Sequence, residues 1–232
     1  MIELNDLINK ITCADCMDIL KQLPDKCIDL VLTDPPYNAS NSNIGLRGGY
    51  KTINEDWDKN FNPIPFLEES KRVLKDGGSM IVFCSYHLLG EYLNWKGLKL
   101  QQIIHWEHIT AVPAIAKVYT PVVEYAIWYS TQNYTFNKRF AETNVIRNRK
   151  AYQVDGKFIN HPSVKPTDLI QKLLSVHSNE NDLVLDCFSG SGTTAIACHK
   201  LKRRFICIEK DKDYWEASCK RLEEEQRQGT LF

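Results

Sequence analysis

Residues 183–209 constrain the fold more than any other stretch. Leu183-Val184-Leu185-Asp186 is a short apolar run closed by an acid, and Cys187-Phe188-Ser189-Gly190-Ser191-Gly192 is a glycine turn. Thr193 to Lys200 has the length of a helix, and Arg204 to Ile208 is a second apolar run ending at Glu209. Strand, turn, helix and strand in that order make a βαβ unit, whose two strands must lie parallel with the helix packed on one face. A chain carrying such a unit is directed toward an α/β sheet with helices on both faces. The glycine turn lets a ligand approach bare backbone at a helix start, and an acid ending the next strand suits ribose hydroxyls. This is not the G-x-G-x-x-G dinucleotide pattern, because Ala195 occupies the third glycine position. The set points to a nucleoside-bearing cofactor.

A second feature lies far upstream. The apolar run Ile28-Asp29-Leu30-Val31-Leu32 stops at Asp34-Pro35-Pro36-Tyr37. Two successive prolines fix φ and remove two donors, so the strand cannot continue through them. Ligands of open α/β sheets bind outside the carboxyl ends of the strands. Asp34, the carbonyls beside Pro35 and Pro36, and the Tyr37 ring therefore face the same crevice. Taken alone, Asp34 also reads as a turn-capping acid and Tyr37 as a lid on the core.

The chain's 232 residues, 43% hydrophobic and 25% charged, fit one globular domain with a full core. No apolar run approaches the ~20 residues of a membrane span, and no signal-peptide pattern opens the sequence, which points to the cytoplasm and no membrane partner. The eight cysteines are scattered through apolar runs and read as small core residues. Cys13-x-x-Cys16 has redox or zinc spacing, but neither a second such pair nor suitably spaced histidines complete a site, so no metal is assigned. Formal charge is zero, with 29 basic and 29 acidic residues, so the overall balance does not announce a nucleic acid. Local distribution differs: Lys138, Arg139, Arg147, Arg149, Lys150, Lys157 and Lys165 face only Glu142 and Asp155. A solvated loop has the same composition.

Between these features the pattern predicts a strand ending at Asp15 and a short helix to Leu23. Residues 38–58, rich in Asn, Ser and Gly and carrying Arg47 and Lys51, read as a mobile substrate loop. Further predictions are a helix over 63–75 ended by Gly77-Gly78, a strand over 79–84, a helix near 88–93, and strands over 100–106 and 122–130. An amphipathic helix over 168–178 and a charged one over 213–228 complete the series. The aromatic residues Trp106, Tyr119, Tyr125, Trp128 and Tyr129 read mostly as core.

Asp34-Pro35-Pro36-Tyr37, taken with Asp186-Cys187-Phe188-Ser189-Gly190-Ser191-Gly192-Thr193-Thr194, resembles the amino-methyltransferases of DNA. Their order, tetrapeptide first and glycine turn last, resembles the β class of that family. His161-Pro162-x-x-Lys165-Pro166 and Ala14-Asp15-Cys16 are similar to further family segments. The resemblance implies a permuted Rossmann-like, S-adenosylmethionine-dependent methyltransferase fold, α/β, with a mostly parallel seven-stranded sheet and helices on both faces. It implies one catalytic domain over 1–232, with a short target-recognition insertion over 131–160. Asp34, Pro35, Pro36 and Tyr37 would be catalytic, polarising and stacking on an amino-bearing base flipped from double-stranded DNA. Asp15, Cys16, Asp34, Lys165, Asp186, Phe188, Ser189, Gly190, Gly192, Thr193 and Glu209 would meet S-adenosylmethionine. Arg47, Lys51, Arg147, Arg149 and Lys150 are candidate phosphate contacts. The target would be N6 of adenine, with N4 of cytosine the rival and an RNA or protein nitrogen a more distant one. Asp at the first position favours adenine. A homodimer is the implied assembly, and the setting would be either restriction–modification with a cognate restriction endonuclease or an orphan epigenetic role. No proline precedes a cysteine, which disfavours methylation at cytosine C5.

Overall fold

The computed structural model describes residues 3–38, 58–108, 119, 122–137, 142–148 and 163–229. Its strands are β1 (Lys10–Cys13), β2 (Ile28–Thr33), β3 (Leu74–Cys84), β4 (Lys99–His108), β5 (Val123–Ser130), β6 (Val145–Asn148), β7 (Leu183–Asp186) and β8 (Arg204–Glu209). They form one sheet of eight strands in the order β1-β8-β7-β2-β3-β5-β4-β6. β5 runs antiparallel to both of its neighbours, and the remaining pairs are parallel. The mostly parallel sheet is as expected, with one strand more than the seven predicted. The extra strand is β6, which pairs with β4 inside the segment expected to be a recognition insertion. Its residues Val-Ile-Arg-Asn alternate between exposed and partly exposed, so no apolar run marks them in the sequence.

The helices are α1 (Leu4–Leu7), α2 (Cys16–Leu20), α3 (Pro63–Val73), α4 (Leu89–Asn94), α5 (Thr167–His177), α6 (Thr193–Lys200) and α7 (Lys212–Gly229). Strand side chains alternate between two cores. Met80, Val82 and Cys84 of β3 face Ile19, Phe66 and Tyr92 on α2, α3 and α4. Ile81 and Phe83 face the opposite core with Leu169 and Leu173 of α5, Ile196 of α6 and Leu222 of α7. Helices thus cover both faces, as a sheet of buried parallel strands requires. No helix among the described residues is long and apolar enough to cross a membrane. Tyr119, read as core from sequence, is fully exposed.

Local chemistry sets the ends of the elements that reach the site. Asp15 caps α2 by accepting from the Met17 N–H at 2.9 Å, and Asn62 caps α3 by accepting from Ile64 N–H at 3.1 Å, with Pro63 in the first turn. The pair Gly77-Gly78, expected to end the helix, instead lies inside β3. The helix stops at Val73, and the register between β2 and β3 jumps from Ile28↔Leu74 to Leu30↔Ser79. This bulge requires Gly77 at φ +86° and leaves no room for a side chain at Gly78. A Cβ on Gly78 would stand 2.9 Å from the Asp29 carbonyl oxygen and 2.7 Å from Leu74 Cδ1. Gly78→Ala is therefore expected to lower the unfolding free energy by about 1–3 kcal/mol, read from urea midpoints at constant m.

Candidate active site

β2 and β7 are parallel neighbours, so their carboxyl ends release Asp34 and Asp186 side by side. The Thr33 hydroxyl donates to Asp186 Oδ1 at 2.6 Å and accepts from the Cys187 N–H at 3.1 Å. Asp186 Oδ1 also accepts from Phe188 N–H at 3.1 Å, which holds the start of the glycine turn. Burial pushes the Asp186 carboxyl up to about 6, against the pull of its hydrogen bonds from Thr194, Thr33 and Phe188.

A single cavity of about 630 Å³ connects the two sequence motifs. Asp34, Pro35, Pro36 and Tyr37 line it, as do Asp15, Cys16, Lys165, Asp186, Phe188, Ser189, Gly190, Thr193 and Glu209. Gly192 is not among the lining residues. It stands at φ +78°, and a Cβ there would meet Ser218 Cβ of α7 at 2.9 Å. Its glycine serves the packing of α6 on α7 and the left-handed helix start. Phe188 packs edge-on against Phe61 and Phe66, with ring centroids 5.5 and 5.3 Å away, and so forms a wall of the cavity.

At one end, Glu209 accepts from the N–H groups of Gly190 at 2.7 Å and Asp211 at 2.8 Å, one on each carboxylate oxygen. Each oxygen keeps acceptor capacity toward the cavity, the arrangement a ribose diol requires. Burial raises this carboxyl, and the backbone N–H groups of Asp211, Gly190 and Lys210 pull it back. Beside it, Asp15 takes the Lys210 ammonium at 2.9 Å, and this side-chain bond is the main reason its pKa is lowered. The Ser189 hydroxyl oxygen is buried, with the Cys207 thiol as its neighbour.

At the other end, Asp34 is held on both oxygens. The Tyr37 hydroxyl donates to Oδ1 at 2.5 Å and Lys165 Nζ donates to Oδ2 at 2.5 Å. Burial raises Asp34, and Lys165 only partly reverses this, while Glu124 adds to it. Burial pulls Lys165 down, but Asp34 and Glu124 more than restore it, so it stays an ammonium. Its Nζ stands 5.1 Å from the Phe83 ring centroid and 5.2 Å from that of Tyr37. Tyr37 is pushed well above its usual range, by burial first and by Asp34 next, and remains a donor. The Tyr37 backbone is fixed too: its N–H donates to Asp58 at 2.6 Å and its carbonyl accepts from the Ser85 hydroxyl at 3.0 Å.

Sequence reading did not single out Glu124, Asp58, Thr33 or Lys210. Only Glu124 carries a visible signal, as an acid within the apolar run Val122 to Ser130. Among the candidate phosphate contacts, Arg147 lies exposed on β6, where it pairs with Glu107 at 2.8 Å. Arg47, Lys51, Arg149 and Lys150 lie outside the described residues, as do His161, Pro162 and most of the loop over 38–58. Burial pushes the Cys16 and Cys84 thiols up to about 12, far from a reactive thiolate.

The model of the family described as DNA methylase, the N6/N4 methyltransferases, matches residues 28–220. The Type II methyltransferase M1.MboII of Moraxella bovis is 29% identical over 89% of this chain and 94% of its own. The Type II methyltransferase M2.DpnII of Streptococcus pneumoniae is 29% identical over 91% of this chain and 88% of its own. Among solved structures, that of the M1.HpyAVI–SAM complex superposes with a TM-score of 0.70 at 29% identity, covering 92% of this chain and 99% of the other.

The buried Asp186 gives a sign-defined test. Its folded pKa of about 6 exceeds the unfolded 3.8, so the stability tied to it is complete below pH 4 and lost as pH rises through 6. The difference in unfolding free energy between wild type and Asp186→Asn, measured without cofactor, should shift by about 3 kcal/mol against the wild type from pH 3 to 7. A difference that stays flat with pH would remove the assignment.

Proposed function

The chain belongs to the N6/N4 DNA methylase family, and we propose that it transfers a methyl group from S-adenosylmethionine to N6 of an adenine flipped out of duplex DNA, in a type II restriction–modification setting. The observation that carries this reading is the single cavity with Asp34–Tyr37 at one end and Glu209 with the glycine turn at the other. Its volume lies within the range of ordinary cofactor and ligand sites, ~300–1,000 Å³. The open lone pairs of Glu209 fit the ribose hydroxyls of the cofactor. The M1.HpyAVI structure, titled as a SAM complex, supports the same choice.

In this reading Glu209 holds the ribose hydroxyls, with Asp15 and Cys16 toward the adenine edge. Phe188, Ser189, Gly190 and Thr193 line the methionine end, near Asp186. When bound, the cofactor supplies a methyl carbon on a positively charged sulfur. The protein's work is done on the other reactant. An exocyclic amine is a poor nucleophile because its lone pair is delocalised into the ring. Hydrogen bonds from its N–H groups to the Asp34 carboxylate and the Pro35 carbonyl favour a pyramidal nitrogen, and Tyr37 gives the extruded base a stacking surface. The nitrogen then attacks in line, with no covalent enzyme intermediate, so catalysis is positioning and polarisation. Asp at position 34 favours adenine over cytosine as the target. The basic residues Arg47, Lys51, Arg147, Arg149 and Lys150 are assigned to the DNA phosphates. A homodimer and a cognate endonuclease complete the proposal.

Asp34→Asn should abolish tritiated methyl transfer to duplex DNA, by at least about 10²-fold, while calorimetry shows cofactor affinity retained. Equal activity in the variant would overturn the catalytic assignment. Nucleoside mass spectrometry of the product should show N6-methyladenine; N4-methylcytosine would replace the proposed target. Glu209→Ala should weaken S-adenosylmethionine binding by about 10- to 100-fold, measured by calorimetry without DNA. Unchanged affinity would release Glu209 from the ribose.

A further inference from the structure

Glu124 reaches the groups that hold Asp34 from β5, a strand that belongs to neither sequence motif. Its Oε2 stands 3.2 Å from Lys165 Nζ and 3.3 Å from the Tyr37 hydroxyl, the same two groups that hold Asp34. Lys165 is only 5% exposed, against 20% for Asp34 and 26% for Glu124. Among the described residues the cluster therefore sets two carboxylates around one buried ammonium and a neutral phenol. A phenol has one proton. In this structure Tyr37 donates it to Asp34 Oδ1, at the shorter distance, and Glu124 is the second acceptor within reach.

This has a consequence for the reaction proposed above, on which the inference rests. Both oxygens of Asp34 already accept, one from Tyr37 and one from Lys165. An incoming amine is a further donor to a carboxylate that already holds one on each oxygen. We propose that Glu124 is a positioning residue: it takes the Tyr37 hydroxyl and shares the Lys165 ammonium when Asp34 turns to the substrate amine. The negative charge of Glu124 beside Asp34 also favours the nitrogen as it becomes positive. The nitrogen lone pair forms the bond to the methyl carbon while the carbon–sulfur electrons return to sulfur, and the nitrogen sheds its extra proton afterwards. A field set before that charge develops stabilises it without reorganisation.

Among the described residues, the groups facing Asp34 are Tyr37 on its own loop, Lys165 ahead of α5, Glu124 on β5, Cys84 on β3, Tyr92 on α4 and Asp186 on β7. Of these, Glu124 and Asp186 are the acids, and Glu124 raises the Asp34 carboxyl directly. Replacing it by the isosteric amide keeps an acceptor for Tyr37 and Lys165 while removing the charge.

Glu124→Gln should lower kcat for methyl transfer to duplex DNA by on the order of 10- to 100-fold, with KM for DNA and cofactor affinity near wild type. The acid limb of its kcat–pH profile should move to lower pH, because Asp34 ionises more easily without the neighbouring charge. Glu124→Asp should recover part of the rate. A readout independent of turnover is the ¹³C carboxyl titration of Asp34 in the unliganded protein, assigned against Asp34→Asn: its midpoint should fall in Glu124→Gln. An unmoved midpoint, or wild-type kcat with an unmoved profile, would overturn the proposal. A wild-type chain that methylates no DNA would instead overturn the reaction it rests on, and the titration would still decide whether Glu124 acts on Asp34.

Discussion

The buried hydrogen bond from Thr33 to Asp186 ties together two stretches 153 residues apart in sequence. It forms because β2 and β7 are adjacent parallel strands, with Leu30 opposite Val184 and Val31 opposite Leu185. Parallel neighbours end on the same edge of a sheet, so the two loops that follow them open into one crevice. If those strands were separated, Asp34 and the glycine turn would lie in different places and no shared cavity would exist. The rest of the structure serves that junction. The helices on each face bury the strands, and the flanking strands β8 and β3 deliver Glu209 and, through Ser85, an anchor for the Tyr37 backbone.

The two ends of the cavity are built by different physics. Around Glu209, backbone N–H groups orient a carboxylate while leaving it free lone pairs, so recognition is by hydrogen bonding at little cost in charge burial. Around Asp34, two acids are drawn partly out of water with the Lys165 ammonium, 5% exposed, between them. Burying charges in this way contributes little to stability and can oppose it. The arrangement is understandable as a field prepared for a reaction rather than as a fold stabiliser, which is why strained electrostatics gather at this end.

The cofactor end was largely legible in the sequence, because its residues are contiguous. Strand, turn, helix and terminal acid lie within residues 183–209, and local periodicity reports on neighbours in the chain. The role of Gly192 was not: only the approach of α7, through Ser218, explains why that position excludes a side chain. Gly77-Gly78 misled in the same way. Paired glycines commonly end helices, yet here they form a bulge set by the register of β2 against β3. β6 escaped notice because its alternation is weak and its partner β4 is remote.

The sequence alone determined the α/β class, the two motifs, their order, and hence the family the chain belongs to. Each of these rests on short-range pattern: apolar runs that stop at an acid, prolines that end a strand, and glycines that bend it. The tertiary structure decided what surrounds Asp34. Lys165 comes from before α5 and Glu124 from the middle of the sheet, and neither is near Asp34 in the chain. Long-range side-chain placement depends on strand order and register, which local composition does not encode, so the charge balance at the reactive end could be read only once the sheet was assembled.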